Sequence, residues 1–142
     1  LMSDTVFQTL KEQGFTRGLA EALMRNKLAF PLNFWIVDNS GSMNKIDGHR
    51  FVETKKKTSV KFIECTRWAE MQQTCDYHAQ MAALLKNPTV FRMLNDPGRL
   101  VGPQQFSLCE RGDAFIDQDL QIAQSTILNA SPNGVTPLTE HI

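Results

Sequence analysis

The stretch FWIVDNSGSM, residues 34–43, joins a run of apolar residues to a short polar segment. The apolar run is rich in β-branched and aromatic residues and does not alternate with polar ones, which is typical of a central strand covered on both faces. We therefore expect a strand over residues 32–38 in which Trp35, Ile36 and Val37 are buried. A carboxylate and two serine hydroxyls then follow directly at the carboxyl end of that strand.

The residues on either side of this stretch predict helices and further strands. Before it, apolar residues at helical spacing predict a helical hairpin, and Thr16 is placed to cap its second helix. After it, the pattern predicts an inserted β-hairpin at about 48–65, a long helix over 66–87, strands over 88–96 and 105–109, and a helix over 117–129. This order predicts an α/β fold with a Rossmann-like, doubly wound, mostly parallel sheet. The second and third strands of that sheet should lie on one side of the first.

Composition and charge narrow the class of protein. The chain has 142 residues, 42% of them hydrophobic, and its 15 basic residues balance its 15 acidic ones. A zero net charge provides no field for a nucleic acid, and we expect the lysine-rich middle of the inserted hairpin to be a solvated turn. No apolar run reaches the roughly 18 residues that span a bilayer, so we expect no membrane insertion.

The cysteines indicate a cellular compartment. Cys65, Cys75 and Cys109 are an odd number without metal-type or redox-type spacing, which favours reduced thiols over a disulfide framework. We therefore expect an intracellular and cytoplasmic protein, with an organelle stroma as the alternative.

The polar loop after the first strand offers oxygen donors. Asp38, Ser40 and Ser42 alternate around Asn39 and Gly41, so one turn of loop can direct a carboxylate oxygen and two hydroxyl oxygens to one point. Ligands of open α/β sheets bind beyond the carboxyl ends of the strands, where this loop lies. Hard oxygen donors suit Mg²⁺ or Mn²⁺. The loop therefore predicts a divalent metal site.

A second loop, NGVTPLT at residues 133–139, offers Thr136 between a glycine and Pro137. Purely structural roles are the alternative at both loops. Asp38 and Ser40 can form an Asx turn, Ser42 or Asn44 can cap a helix, and Thr136 can cap a helix that begins at Pro137.

The segments DNSGSM and GVTPLT together resemble the metal-ion-dependent adhesion site of von Willebrand factor A (vWA) domains. In that family an Asp-x-Ser-x-Ser loop and a later threonine bind one divalent ion. The resemblance implies that Asp38, Ser40, Ser42 and Thr136 are metal ligands and that one Mg²⁺ or Mn²⁺ ion is the cofactor.

The resemblance also implies a domain organisation. Residues 1–29 form an N-terminal helical hairpin, and residues 30–142 correspond to the N-terminal two thirds of a vWA-like domain. A third loop, which contributes an aspartate in the family, would lie beyond Ile142. We therefore expect the domain to be incomplete at its C-terminus, with the strand that contains residues 34–37 at a sheet edge.

These observations favour an interaction module over an enzyme. The sequence VDNSGSM lacks the Gly-x-Ser-x-Gly pattern of a nucleophilic serine, and no histidine spacing suggests zinc or a general base near the loops. The resemblance implies that the metal ion binds a Glu or Asp of a protein partner. The alternative is a structural or scaffold subunit of a large multi-protein assembly in which the metal site is vacant or unused.

Overall fold

The computed structural model describes residues 2–56 and 59–140, which form helices and short strands. Within those residues the α-helices are α1 (Asp4–Glu12), α2 (Arg17–Ala29), α3 (Arg67–Leu85) and α4 (Ile116–Asn129). The strands are β1 (Asn33–Val37), β2 (Gly48–Glu53), β3 (Val60–Cys65), β4 (Thr89–Met93) and β5 (Gln105–Leu108). Short 3-10 turns lie at Gly41–Asn44, Asp113–Phe115 and Leu138–Glu140.

Side-chain caps determine where three of the helices begin. The hydroxyl of Thr16 accepts a hydrogen bond from the backbone N–H of Leu19, which confirms the cap predicted for α2. Thr66 caps the long helix α3 in the same way, and Ser3 caps α1. Each cap satisfies one of the backbone donors that a helix leaves unpaired in its first turn.

The main sheet is small and mixed. Its strand order is β1-β4-β5, so the second and third sheet strands lie on one side of the first, as expected. β1 and β4 are parallel, whereas β4 and β5 are antiparallel. The α/β class is confirmed, but the sheet formed by the described residues is not mostly parallel, because β5 reverses direction after β4. Among those residues no strand pairs with the outer edge of β1.

The main core lies between one face of this sheet and the helices α3 and α4. Trp68 of α3 is buried there, and its indole N–H donates to the carbonyl of Ala130 at 2.9 Å. Gln72 of α3 also donates to the carbonyl of Ile127 in α4. The sheet contributes buried side chains from all three strands, namely Val37, Phe91, Met93, Phe106 and Leu108.

The burial predicted for β1 is only partly correct. Val37 is 2% exposed and Trp35 is half-buried against the core. Ile36, however, is 40% exposed and Phe34 is 54% exposed, so the prediction of a strand covered on both faces is wrong. The physical reason is that side chains alternate along a strand, and α3 and α4 cover only the face that carries Trp35 and Val37.

Two hairpins flank this core. The α1–α2 hairpin packs on α3 through a second cluster in which Leu10 and Ala20 contact Met81 and Leu85. The inserted β-hairpin is antiparallel and places β2 beside α3. Lys57 and Thr58, in the lysine-rich middle of that hairpin, lie outside the described residues.

Candidate functional site

The site is built where the parallel strands β1 and β4 end. Asp38 follows β1 directly, and the backbone N–H of Leu94 after β4 donates to the carbonyl of Val37 at 3.0 Å. Parallel strands bring their carboxyl ends to one edge of the sheet. The loops that follow β1 and β4 therefore begin side by side.

The first loop is a compact turn stabilised by its own polar groups. Oδ1 of Asp38 accepts the backbone N–H of Ser40 at 2.8 Å, and the hydroxyl oxygens of Ser40 and Ser42 lie 3.1 Å apart. Ser40 is 1% exposed, Asp38 is half-buried and Ser42 is exposed. The three predicted ligands of this loop therefore differ in exposure, and Ser42 is the most accessible to solvent.

The second loop lies against the first. The N–H of Gly41 donates to the carbonyl of Gly134 at 3.0 Å, and the N–H of Asn133 donates to the carbonyl of Asn39 at 2.8 Å. Thr136 follows Gly134 by two residues and is exposed. The structure therefore brings the two predicted segments of the site together, although they are far apart in the sequence.

The hydrogen bonds of the two loops match the purely structural roles only in part. The Asx turn at Asp38 is present, but it uses only Oδ1, and no described residue donates to Oδ2. Ser42 does not cap the 3-10 turn, which begins without a side-chain cap. At Thr136 the carbonyl, and not the hydroxyl, accepts the N–H of Leu138. One carboxylate oxygen and the hydroxyl of Thr136 thus lack a hydrogen-bond partner in the part of the chain that the structure describes.

Two of the four predicted oxygen donors have a spacing that suits a small hard cation. Adjacent ligands of an octahedral Mg²⁺ ion with bonds of about 2.0–2.1 Å are roughly 3 Å apart, and the hydroxyl oxygens of Ser40 and Ser42 have nearly this spacing. The set contains a single carboxylate. Accordingly, no group of three or more His, Cys, Asp or Glu side chains able to hold a metal is found among residues 2–56 and 59–140. Such a site would depend on hydroxyl oxygens and water.

An ion pair fixes the segment that leaves the first loop. Arg67, at the start of α3, donates to both carboxylate oxygens of Asp47, at 2.5 and 2.6 Å. This hydrogen-bonded guanidinium lowers the pKa of Asp47. The N–H of Arg67 also donates to the carbonyl of Lys45. The loop is therefore attached to β1 at one end and to α3 at the other.

Three asparagines connect the loops, and none of them is among the residues predicted for the site. Asn39 occupies a variable position of the Asp-x-Ser-x-Ser pattern, and Asn95 lies near the end of the strand predicted over residues 88–96. Asn133 opens the second loop. The available signal was an amide side chain at the carboxyl end of each of two predicted strands, Asn39 just after residues 32–38 and Asn95 near the end of residues 88–96, since such side chains meet at one edge of a parallel sheet.

Comparison with known proteins adds no relative. No family model matches the chain, and neither the curated proteins nor the solved structures gave a significant match. Within the described residues, no helix combines the length and the apolar character needed to cross a membrane.

Proposed function

We propose that this chain is a protein interaction module with a doubly wound, vWA-like fold, and that Asp38, Ser40, Ser42 and Thr136 hold one Mg²⁺ or Mn²⁺ ion. The observation that carries the proposal is the hydrogen bond between Gly41 and Gly134, which joins the two loops at the carboxyl edge of β1 and β4. Without that contact, the two segments would be unrelated turns.

The charge of the site indicates what it binds. Asp38 supplies one negative charge, and the three hydroxyl groups are neutral, so a bound divalent cation would keep a net positive charge and attract a further anionic ligand. Ser42 and Thr136 are exposed, which leaves the loops accessible to another protein. We therefore propose a Glu or Asp side chain of a protein partner as the group that is recognised.

A second candidate function rests on the same loops. Asp38 is bonded to Ser40 and Ser40 to Ser42, so the first loop is stabilised by protein groups alone. This favours a scaffold subunit of a larger assembly that keeps the fold and does not use the metal site. In either case we propose a non-catalytic protein in a larger complex. We also propose an intracellular, cytoplasmic location, because Cys65, Cys75 and Cys109 are free thiols.

The experiment that tests the metal site is the substitution Asp38→Ala. We expect calorimetric titration of the wild type to detect Mg²⁺ and Mn²⁺, and the variant to bind at least about tenfold more weakly because it loses the only charged ligand. The variant should remain folded, since Asp38 is a half-buried loop residue outside the hydrophobic core.

Asp113→Ala is the matched control. Asp113 is also a loop carboxylate, but it pairs with Lys86 near the start of β4, at the opposite end of that strand from the candidate site. This control should bind Mg²⁺ like the wild type. Equal Mg²⁺ affinity in the wild type and Asp38→Ala would contradict the metal assignment. A wild type with no affinity for either ion would favour the scaffold function.

A further inference from the structure

The side chain of Asn95 joins the end of β4 to the second loop. Its Nδ2 donates to the carbonyl of Asn133 at 2.9 Å and to the carbonyl of Val135 at 2.8 Å. These two carbonyls lie on either side of Gly134, and Val135 immediately precedes Thr136. One amide group thus holds the backbone of the loop that presents the threonine.

Asn39 holds Asn95 in turn. Oδ1 of Asn39 accepts the backbone N–H of Asn95, and Nδ2 of Asn39 donates to the backbone carbonyl of Asn95, both at 2.8 Å. Asn39 is completely buried and Asn95 is half-buried, so these bonds are partly shielded from water. The carbonyl of Asn39 also accepts the N–H of Asn133. Asn39 therefore contacts both of the segments that flank the first loop.

We infer that Asn39 and Asn95 are positioning residues of the metal site, and this inference rests on the proposed function. Asn39 lies between two of the proposed ligands, Asp38 and Ser40, whereas Asn95 fixes the loop of Thr136. The amide pair sets the separation of the two loops before an ion is bound. Ligands held in advance at the right separation bind more tightly, because less ordering is required on binding.

The conformation of Gly134 supports this role. Its φ of +74° is one that residues with a side chain rarely adopt, and a Cβ at this position would lie 3.1 Å from Oδ1 of Asn95. The second loop therefore reaches its place only by passing close to the Asn95 amide. A side chain at residue 134 should move the loop away from Asn95.

The test compares Asn95→Ala with the control Gln104→Ala. The side-chain amide of Gln104 also donates to two carbonyls at the end of β4, those of Met93 at 2.9 Å and Leu94 at 3.3 Å, but it does not contact the second loop. Both variants lose two amide–carbonyl hydrogen bonds. Only Asn95→Ala loses the side-chain bonds between the end of β4 and the second loop.

Two measurements distinguish positioning from general stability. In calorimetric titration, we expect Asn95→Ala to bind Mg²⁺ about tenfold more weakly than the wild type, and Gln104→Ala to bind equally well. In the metal-free protein, we expect the amides of Gly41 and Asn133 to exchange hydrogen faster in Asn95→Ala alone, since both donate across the loop contact. Gly134→Ala should act like Asn95→Ala, and it replaces that variant if Asn95→Ala does not fold.

The outcomes separate this inference from the function on which it rests. A wild type without Mg²⁺ affinity overturns both. A wild type that binds Mg²⁺, with an Asn95→Ala variant of equal affinity, overturns the positioning role and leaves the metal site intact. An equal loss of affinity in Gln104→Ala also overturns it, because the effect would then reflect the stability of the strand end.

Discussion

His78 shows how burial of one side chain can make stability depend on pH. Its ring lies 4.5 Å from that of Trp35, between centroids, and 5.5 Å from that of Tyr77. Burial lowers the pKa of His78 below its ordinary value of 6.5, because the charged form is poorly solvated there. At mildly acidic pH the unfolded chain therefore binds more protons at this residue than the folded chain does.

We predict that this histidine makes the protein less stable as the pH falls. Its contribution to the free energy of unfolding is constant above the unfolded pKa, near 6.5, and falls as the pH drops from there towards the lower folded pKa. Urea unfolding between pH 8 and pH 5 measures the effect. In His78→Gln the free energy of unfolding should depend less on pH. An unchanged pH dependence in that variant would show that other groups cause the loss of stability.

The residues of the candidate site differ in how far the sequence could predict them. Asp38, Ser40 and Ser42 lie within one local motif, so their convergence follows from the spacing alone. Asn95 acts on carbonyls 38 and 40 positions further along the chain, and its role depends on the final placement of the second loop. No local pattern encodes such a contact, which is why the asparagine connection emerged only from the fold.

At the scale of secondary-structure elements, β1 shows the same limit. Apolar content alone predicted a strand that is covered on both faces. Which face is covered depends instead on where α3 and α4 pack, and they cover the face of Trp35 and Val37. Phe34 and Ile36 on the other face remain exposed. The type and approximate bounds of this strand were predictable, whereas its environment was not.

We predict that substitution by threonine destabilises the protein more at Val37 than at the adjacent Ile36. Val37→Thr places a hydroxyl in the core and should reduce the free energy of unfolding by about 1–3 kcal/mol. Ile36→Thr keeps a β-branched side chain on a partly exposed face and should cost less than about 1 kcal/mol. Chemical denaturation followed by circular dichroism measures both. Equal costs at the two positions would indicate that the second face is also covered.

At the scale of the whole molecule, the N-terminal helices pack on the α/β core through α3. Leu10 is completely buried in the cluster that joins α1 and α2 to α3, where it packs with Met81 and Leu85. α3 also buries Trp68 and Cys75 in the main core. One helix thus contributes to both hydrophobic clusters, so loss of either cluster should destabilise the other.

The last prediction tests this coupling with Leu10→Ala. Removing a fully buried leucine should lower the free energy of unfolding by about 2–5 kcal/mol. Trp35 shares a cavity with Phe15 and Leu23 of the helical hairpin, whereas Trp68 is buried in the main core, so in a Trp35→Phe background the fluorescence of Trp68 reports on the core. If the molecule unfolds as one unit, the fluorescence transition of Leu10→Ala shifts to lower denaturant by an amount that corresponds to the whole loss of stability. The control is Leu28→Ala, at a 76% exposed site on α2, which should not shift the transition. A helical signal that is lost early in Leu10→Ala, with an unshifted tryptophan transition, would instead show that the helical hairpin detaches from α3 before the core unfolds.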